Sequence, residues 1–433
     1  AWPTCSGGGE VSGEPGAVIT CDLEGRIEGF DPRASALFGY EAEEVVKRKR
    51  IPILMPGHIA VGHLGGWLKR AGETGEFRTE TVCLRKNGSP FTADLKITPN
   101  YCDGRHIGFT SVAVARPEVP VEQAMPEKGL KDWVLRWVVI LRLPFMTASL
   151  VGVVIGAAWG GFSRPEVSIS PWWFVLVLVG GGASHLAANV FNDYFDRKGG
   201  VDEVNTEYFS PFSGGSRAVD LGFVSERGTF IVASVSLLVA AAVGLFLIVS
   251  GRTAILYFGL FGALSGYFYS APPLRLAGRK GLGEFVIGLD FGVLLAAGTV
   301  YALTGTLSLR DFLIGVPIGL LTTAILYVNQ FADMRSDAAT GKHHLVVVLG
   351  KQRACYGYLF LLLAAFAFQV GMVATGLLPV RALWPLLTIP LAFTSIRTVF
   401  RHYDDRSLVG ACRGTILLQL LFGLLSAAGL FWS

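Results

Sequence analysis

The residues best suited to do chemistry lie between Asn189 and Asp202, which reads Asn-Val-Phe-Asn-Asp-Tyr-Phe-Asp-Arg-Lys-Gly-Gly-Val-Asp. Asn189, Asn192, Asp193 and Asp196 end a long apolar run that begins near Trp172. The i, i+4 and i+7 spacing puts Asn189, Asp193 and Asp196 on one face of a continuing helix. A second run, from near Phe312, ends in Asn329, Asp333 and Asp337 at i, i+4 and i+8. Two carboxylate-bearing helix ends are what a Mg²⁺ site needs, because a hard cation takes oxygen ligands and shares them with a substrate's phosphates. The other reading is that these residues only mark helix ends at the water interface. Against it stands the cost of Asp at a bilayer centre, roughly 2.5 to 3.5 kcal/mol, which usually keeps Asp out of membrane depth unless it is used.

The elements that must position these groups follow from composition. The chain has 433 residues, 52% hydrophobic and 16% charged. Charge is frequent up to about Lys131 and sparse between the loops after it, so a soluble front and a membrane body are expected. The net charge of +4 is small, and no nucleic-acid partner is expected. The six cysteines, Cys5, Cys21, Cys83, Cys102, Cys355 and Cys412, include no C-x-x-C pair, which argues against a disulfide framework or a zinc site. From Ala1 onward no charged n-region precedes an apolar h-region, so no signal peptide is expected.

Residues 1–14 are Gly- and Ser-rich and read as a disordered tail. From Pro15 a compact pattern begins: strand Ala17 to Thr20, a turn at Asp22 to Gly25, strand Arg26 to Gly29, and Asp31-Pro32 as a helix N-cap with Pro at the first position. Glu76 to Arg85 and Pro90 to Thr98 alternate as strands around Asn87-Gly88, a strong hairpin signal. Asp103-Gly104 turns into a last strand, Ile107 to Ala115.

A strand pair, short helices and a three-stranded meander over 15–117 resemble a PAS sensor domain. The resemblance is carried by Asp22-Leu-Glu-Gly25, Ala36-Leu-Phe-Gly-Tyr40 with Glu43-Glu44, and Arg85-Lys-Asn-Gly88 with Phe91. It implies a domain that binds haem, flavin or another small ligand, or that forms a homodimer. No Asn-Cys flavin-adduct motif is present. Leu54-Met-Pro56 followed by His63 resembles the haem-ligating helix of oxygen-sensing PAS domains, which makes His63 a haem-ligand candidate, although Leu64 and Gly66 to Trp67 replace the Asp and Tyr expected just after it. Residues 118–131, rich in Pro and Glu, read as a linker to the body at 132–433.

Nine apolar spans are expected in the body: Leu141 to Gly161, Trp172 to Asn192, Phe230 to Ser250, Ala254 to Ser270, Phe285 to Leu303, Phe312 to Phe331, Tyr356 to Leu377, Leu383 to Val399 and Thr415 to Trp432. Each is near the roughly 20 residues that cross a bilayer. The fold class is therefore a multi-span all-α membrane bundle of nine transmembrane helices preceded by a small α+β domain. Joins after spans two, four, six and eight carry most of the Arg and Lys. The positive-inside rule places that side, with the amino terminus and both Asp-rich mouths, in the cytoplasm.

Basic residues beside the acidic ones extend the chemistry. Lys198 and Arg217 flank the first cluster, Arg335 and Lys342 the second, and Arg275 follows Tyr269-Ser-Ala-Pro-Pro273. Such cations could clamp phosphate oxygens and stabilise departing charge, although topology alone would also put Arg and Lys on this side.

Together these residues resemble the UbiA superfamily of intramembrane prenyltransferases over about Trp133 to Ser433. The motifs are Asn192-Asp-Tyr-Phe-Asp196 with Asp202, Gly214-Gly-Ser-Arg217, Tyr269-Ser-Ala-Pro-Pro-Leu-Arg275, Gly281-Leu-Gly-Glu284, and Asn329-Gln-Phe-Ala-Asp333 through Asp337 to Gly341-Lys342 and Leu349-Gly350. Gly281-Leu-Gly-Glu284 and the Asn329 motif look most like the branch that prenylates 1,4-dihydroxy-2-naphthoate for menaquinone. His343-His344 stands where the family usually has Arg-Thr, and a fused PAS-like domain is not its usual architecture.

The resemblance implies Mg²⁺-dependent transfer of an isoprenyl group from a prenyl diphosphate to an aromatic quinone precursor, at the inner (cytoplasmic) membrane of the cell. Asp193, Asp196 and Asp202 would bind one Mg²⁺ and Asp333 with Asp337 a second, with Arg275 and Lys342 joining the catalytic charge. Asn189, Asn192, Lys198, Arg217, Tyr269, Arg335, Asn329 and Arg142 would line the substrates, the last two touching the acceptor. Two alternatives remain: an intramembrane terpene cyclase with the same metal motifs, and a PAS-regulated receptor without catalysis.

Overall fold

A computed structural model describes residues 16–126, 129–200, 205 and 212–432 of the chain. It divides into two units, Ala1–Ile140 with Arg217–Ser225, and Leu141–Ser216 with Glu226–Ser433.

The first unit is built on strands β1 (Ala17–Asp22), β2 (Ile27–Phe30), β3 (Phe77–Leu84), β4 (Pro90–Cys102) and β5 (Arg105–Ala115), all antiparallel, in the order β2-β1-β5-β4-β3. The strand pair, helices and meander read from the sequence are all present. Asp31 starts the helix Pro32–Phe38 by accepting from the Ala34 N–H at 2.6 Å, and Gly39 ends it at φ 76°. The Asn87-Gly88 turn works as expected: Gly88 takes φ 81°, and Asn87 Oδ1 accepts from the Ser89 N–H at 2.9 Å. Ile27, Phe38, Ile59, Phe91 and Ile97 fill the interior. Arg217–Ser225 packs with this unit, and Gly57 lies so close to Leu221 and Phe223 that a Cβ there would come within 2.9 Å of the Phe223 ring. Cys21 and Cys83 are buried thiols, both pushed up to about 12 by burial. Cys102 is disulfide-bonded.

The second unit is helical: α1 (Thr147–Ser163), α2 (Pro171–Lys198), α3 (Glu226–Val249), α4 (Ile255–Ser270), α5 (Leu282–Thr304), α6 (Val316–Ala339), α7 (Lys351–Ala374), α8 (Val380–His402) and α9 (Val409–Phe431). Among the described residues eight helices are long and apolar enough to cross a membrane, and α4, at 16 residues, is a shorter apolar helix. α4 corresponds to the expected span Ala254 to Ser270. α4 is cut at both ends, by Gly251 at φ 93° before it and by Pro272-Pro273 after it.

Close helix approach depends on glycine. Gly288 and Gly292 of α5 lie against Gly315, just before α6, and Gly319 within it, where any Cβ would overlap backbone atoms. That contact brings the Glu284 carbonyl to Thr323 Oγ1 at 3.1 Å and fixes α5 beside the Asp-bearing α6. At the opposite end Asp311 is fully buried, accepting from Arg164 at 2.7 Å, Trp159 Nε1 at 2.7 Å and the Ser308 N–H at 2.6 Å. Asp311→Ala strands the half-buried Arg164 and should destabilise the bundle by about 3–5 kcal/mol. Thermal unfolding in detergent checks this, and an unchanged midpoint would contradict it.

Candidate active site

The two Asp-bearing helix ends, about 140 residues apart in sequence, meet at one cavity of about 760 Å³. α2 brings Asn189, Asn192 and Asp196 to its lining, α6 brings Asn329, Asp333 and Asp337, and Arg142, Tyr269 and Lys342 complete the polar part. The deeper walls are mostly apolar, with Val177, Leu247, Phe258 and Leu294 among them, and carry His185, Ser265 and Asp290 as polar groups. A largely apolar cavity among the helices with convergent polar groups at one end suits an amphiphile with a charged head.

Each carboxylate is held separately. Asp193 is buried, accepts from the Ser216 N–H at 3.2 Å and lies 3.6 Å from Arg142. Asp333 accepts from Asn205 Nδ2 at 2.7 Å and from the Gly214 N–H at 3.2 Å. The Gly214 and Ser216 amides come from a turn that depends on Gly214 and Gly215 at φ 75° and 72°, a conformation costly for other residues. Asp196 accepts from Asn192 Nδ2 at 3.2 Å, and Asn192 also donates to Ser270 Oγ at 2.6 Å. Asp337 accepts from His344 Nε2 at 3.1 Å. The His344 Nδ1 accepts from the Val347 N–H, which leaves the ring proton on Nε2.

Lys342 ties the clusters together, 2.7 Å from Asp196 and 3.8 Å from Asp337. Burial alone would pull its ammonium down, but Asp196 and Asp337 hold it above the usual lysine value, so it stays charged. Its loop is anchored by Glu284, a buried carboxylate that accepts from the Leu345 N–H at 2.8 Å. Deeper along α2, Asn189 Nδ2 donates to His185 Nε2 at 2.7 Å, so His185 Nδ1 carries the proton that goes to Ser149 Oγ at 2.7 Å.

Among the described residues no three His, Cys, Asp or Glu side chains gather as a metal cage. The donor set still fits Mg²⁺, which commonly takes one or two carboxylates and completes its six oxygens with phosphate and water. Asp193 and Asp196 would hold one ion, Asp333 and Asp337 another. Asp202 lies outside the described residues. Four expected cations lie away from the cavity lining. Lys198 is exposed over the Tyr194 ring, Arg275 is exposed beside Gly199, Arg335 is exposed on α6, and Arg217 pairs with Asp220 at 3.3 Å in the segment packed with the first unit. His63 sits between two short helices with its ring 6.0 Å from the Trp67 ring. The surrounding interior is filled by side chains, so these residues do not fit a haem without repacking.

The groups that sequence reasoning missed are Asn205, the Gly214 and Ser216 amides, His344 and His185. His344 left a signal as half of the His343-His344 departure, and Gly214 and Ser216 stood within the Gly214-Gly-Ser-Arg217 motif.

The sequence pattern of the UbiA prenyltransferase family matches residues 153–430. The 1,4-dihydroxy-2-naphthoate octaprenyltransferase of Bacillus subtilis is 25% identical over 315 residues, covering 72% of this chain and 96% of its own. The 2-carboxy-1,4-naphthoquinone phytyltransferase of Synechocystis is 27% identical, covering 69% and 93%. Among solved structures, that of a UbiA homolog from Archaeoglobus fulgidus bound to DMAPP and Mg²⁺ aligns with a TM-score of 0.50 at 17% identity, over 68% of this chain and 99% of that one. With the family pattern over most of the chain and two Asp-bearing helix ends at one intramembrane cavity, the protein belongs to the UbiA prenyltransferase family and is a multi-pass membrane prenyltransferase carrying a small PAS-like α+β domain at its amino terminus.

Proposed function

We propose that the protein transfers an isoprenyl group from a prenyl diphosphate to 1,4-dihydroxy-2-naphthoate or a close relative, as a step toward menaquinone. The observation that carries this reading is that Asp196, Asp333 and Asp337 line one cavity, with Lys342 bridging Asp196 and Asp337, while Asp193 lies one turn before Asp196 and is held beside Arg142, which also lines it. The names of the B. subtilis and Synechocystis relatives support the naphthoate class of acceptor.

Mg²⁺ bound at the carboxylates would neutralise the diphosphate and weaken the allylic C–O bond. The chain's own residues do the rest. Lys342, beside Asp196 and Asp337, would offer its charge to the leaving diphosphate. Arg142, 3.6 Å from Asp193, offers a second cation on the α2 side. The Gly214 and Ser216 amides and His344 keep the carboxylates aimed, so little reorganisation is needed when charge develops. The apolar walls hold the tail and keep water from the allylic carbon. Membranes given Mg²⁺ and a prenyl diphosphate, with dihydroxynaphthoate or 4-hydroxybenzoate, test the acceptor. Prenylated naphthoate is expected, and exclusive use of 4-hydroxybenzoate would overturn the assignment.

The membrane is read as the cytoplasmic one, with the Asp-bearing mouth and the amino terminus inside. The PAS-like domain is read as a modulator. Gly214 and Ser216, which hold Asp333 and Asp193, run directly into Arg217–Ser225, the segment packed with the first unit. A ligand that binds two states of that unit unequally could therefore bias the carboxylates through the continuous chain. Deleting residues up to Pro117 should leave transfer measurable while changing its response to oxygen or ligand. Activity unchanged under every condition would reduce the domain to a tether or dimerisation module.

A further inference from the structure

α5 carries a polar residue that the metal chemistry does not use. Asp290 lies in the Leu282–Thr304 span, six residues beyond Glu284, so about 9 Å further along the helix from the loop that holds Lys342. Its Oδ2 accepts from Ser265 Oγ at 2.6 Å. Its Oδ1 is buried with no hydrogen-bond partner. Both residues line the substrate cavity. An ionisable side chain at membrane depth is rare unless used, and an unsatisfied carboxylate oxygen there is costly.

The backbone is shaped around this residue. Leu289–Leu294 is a π-helical segment inside α5, a feature concentrated at functional sites because the extra residue re-aims a side chain. On one side of it Gly292 presses against Gly319, and on the other Phe291 meets His185 edge-on with ring centroids 5.0 Å apart. Asp290 thus stands level with the His185–Asn189 pair across the cavity. Asn329 Oδ1, Gln330 Oε1 and Thr322 Oγ1 are further buried oxygens without a hydrogen-bond partner on residues that line the same space, and Asn329 stands one helical turn below Asp333.

We propose that Asp290, oriented by Ser265, determines acceptor specificity by accepting a hydrogen bond from a ring hydroxyl of the aromatic substrate. The inference rests on the prenyl-transfer reading above. A hydrocarbon tail at this depth has no donor and would leave Oδ1 unsatisfied. A dihydroxylated ring brings two donors, which Asp290 and Asn329 together can receive. A hydroxyl bonded to a carboxylate also feeds electron density into the ring, favouring attack by the adjacent ring carbon on C1 of the prenyl group as the C–O bond to diphosphate breaks, the ring proton then leaving to solvent. Sites that hydrogen-bond a substrate hydroxyl discriminate strongly against analogues lacking it, because the buried partner is then left alone.

The test is equilibrium binding to the full chain in detergent, read by tryptophan fluorescence, with 1,4-dihydroxy-2-naphthoate and its dimethyl ether as probes. The wild type should bind the dihydroxy compound at least tenfold more tightly than the ether. Asp290→Leu should bind both at the ether's level, Asp290→Asn should fall between, and Ser265→Ala should weaken the preference by several-fold. Mg²⁺-dependent binding of the prenyl diphosphate should change less than twofold in each variant. A wild-type preference kept in Asp290→Leu, no preference in the wild type, or parallel loss of diphosphate binding would overturn the proposal. Binding needs no turnover, so a chain that recognises the hydroxyls but forms no prenylated product would refute the transfer reading and leave this site standing.

Discussion

Asp193→Ala and Asp333→Ala should each lower Mg²⁺-dependent diphosphate release by roughly a thousandfold, while the protein still inserts and elutes as a single species. The two residues lie on different helices and are held by different donors, Ser216 with Arg142 for one and Asn205 with Gly214 for the other. Loss of either would leave the diphosphate half neutralised. The fold should survive because each carboxylate is held by a few hydrogen bonds near the helix end, and the packed interior around Leu321, Phe331, Tyr358 and Phe422 is untouched. Release assays beside thermal unfolding separate the two effects. Full turnover by either variant would remove its carboxylate from the metal site.

Lys342→Met should slow diphosphate release about a hundredfold, with the Mg²⁺ concentration for half-maximal rate unchanged or lower. The sign follows from the geometry. Lys342 sits 2.7 Å from Asp196 and 3.8 Å from Asp337, so it competes with cations for the same oxygens. Removing it makes the carboxylates more available to Mg²⁺ but takes away a charge from the leaving group. A raised Mg²⁺ requirement with an unchanged maximal rate would make Lys342 a scaffold for the carboxylates. His344→Ala should act in the opposite way, raising the Mg²⁺ requirement several-fold, because Asp337 loses the imidazole that aims it.

The Asp spacing on α2 and α6 was legible because helical periodicity survives in sequence and because carboxylates at the ends of apolar runs are conspicuous. The small domain was legible for local reasons, namely the Asp31 cap and the Asn87-Gly88 turn. What could not be read is what depends on distant segments meeting. The Gly214-Gly-Ser-Arg217 motif stands out in sequence, but not that its amides meet carboxylates on two other segments, and His344 is distinguishable from exposed His343 only once the loop is folded. Lys198, Arg275 and Arg335 illustrate a different limit: a basic residue that satisfies topology and one that faces substrate look alike in sequence.

The central claim, that both Asp helix ends act on one diphosphate, is tested most directly by substituting Mn²⁺ for Mg²⁺ and recording the electron paramagnetic resonance spectrum with a non-hydrolysable prenyl diphosphate analogue bound. Two spin-coupled Mn²⁺ ions per chain are expected in the wild type, and one uncoupled ion in Asp333→Ala. A single uncoupled ion in the wild type, or a coupled pair that persists in Asp333→Ala, would contradict it.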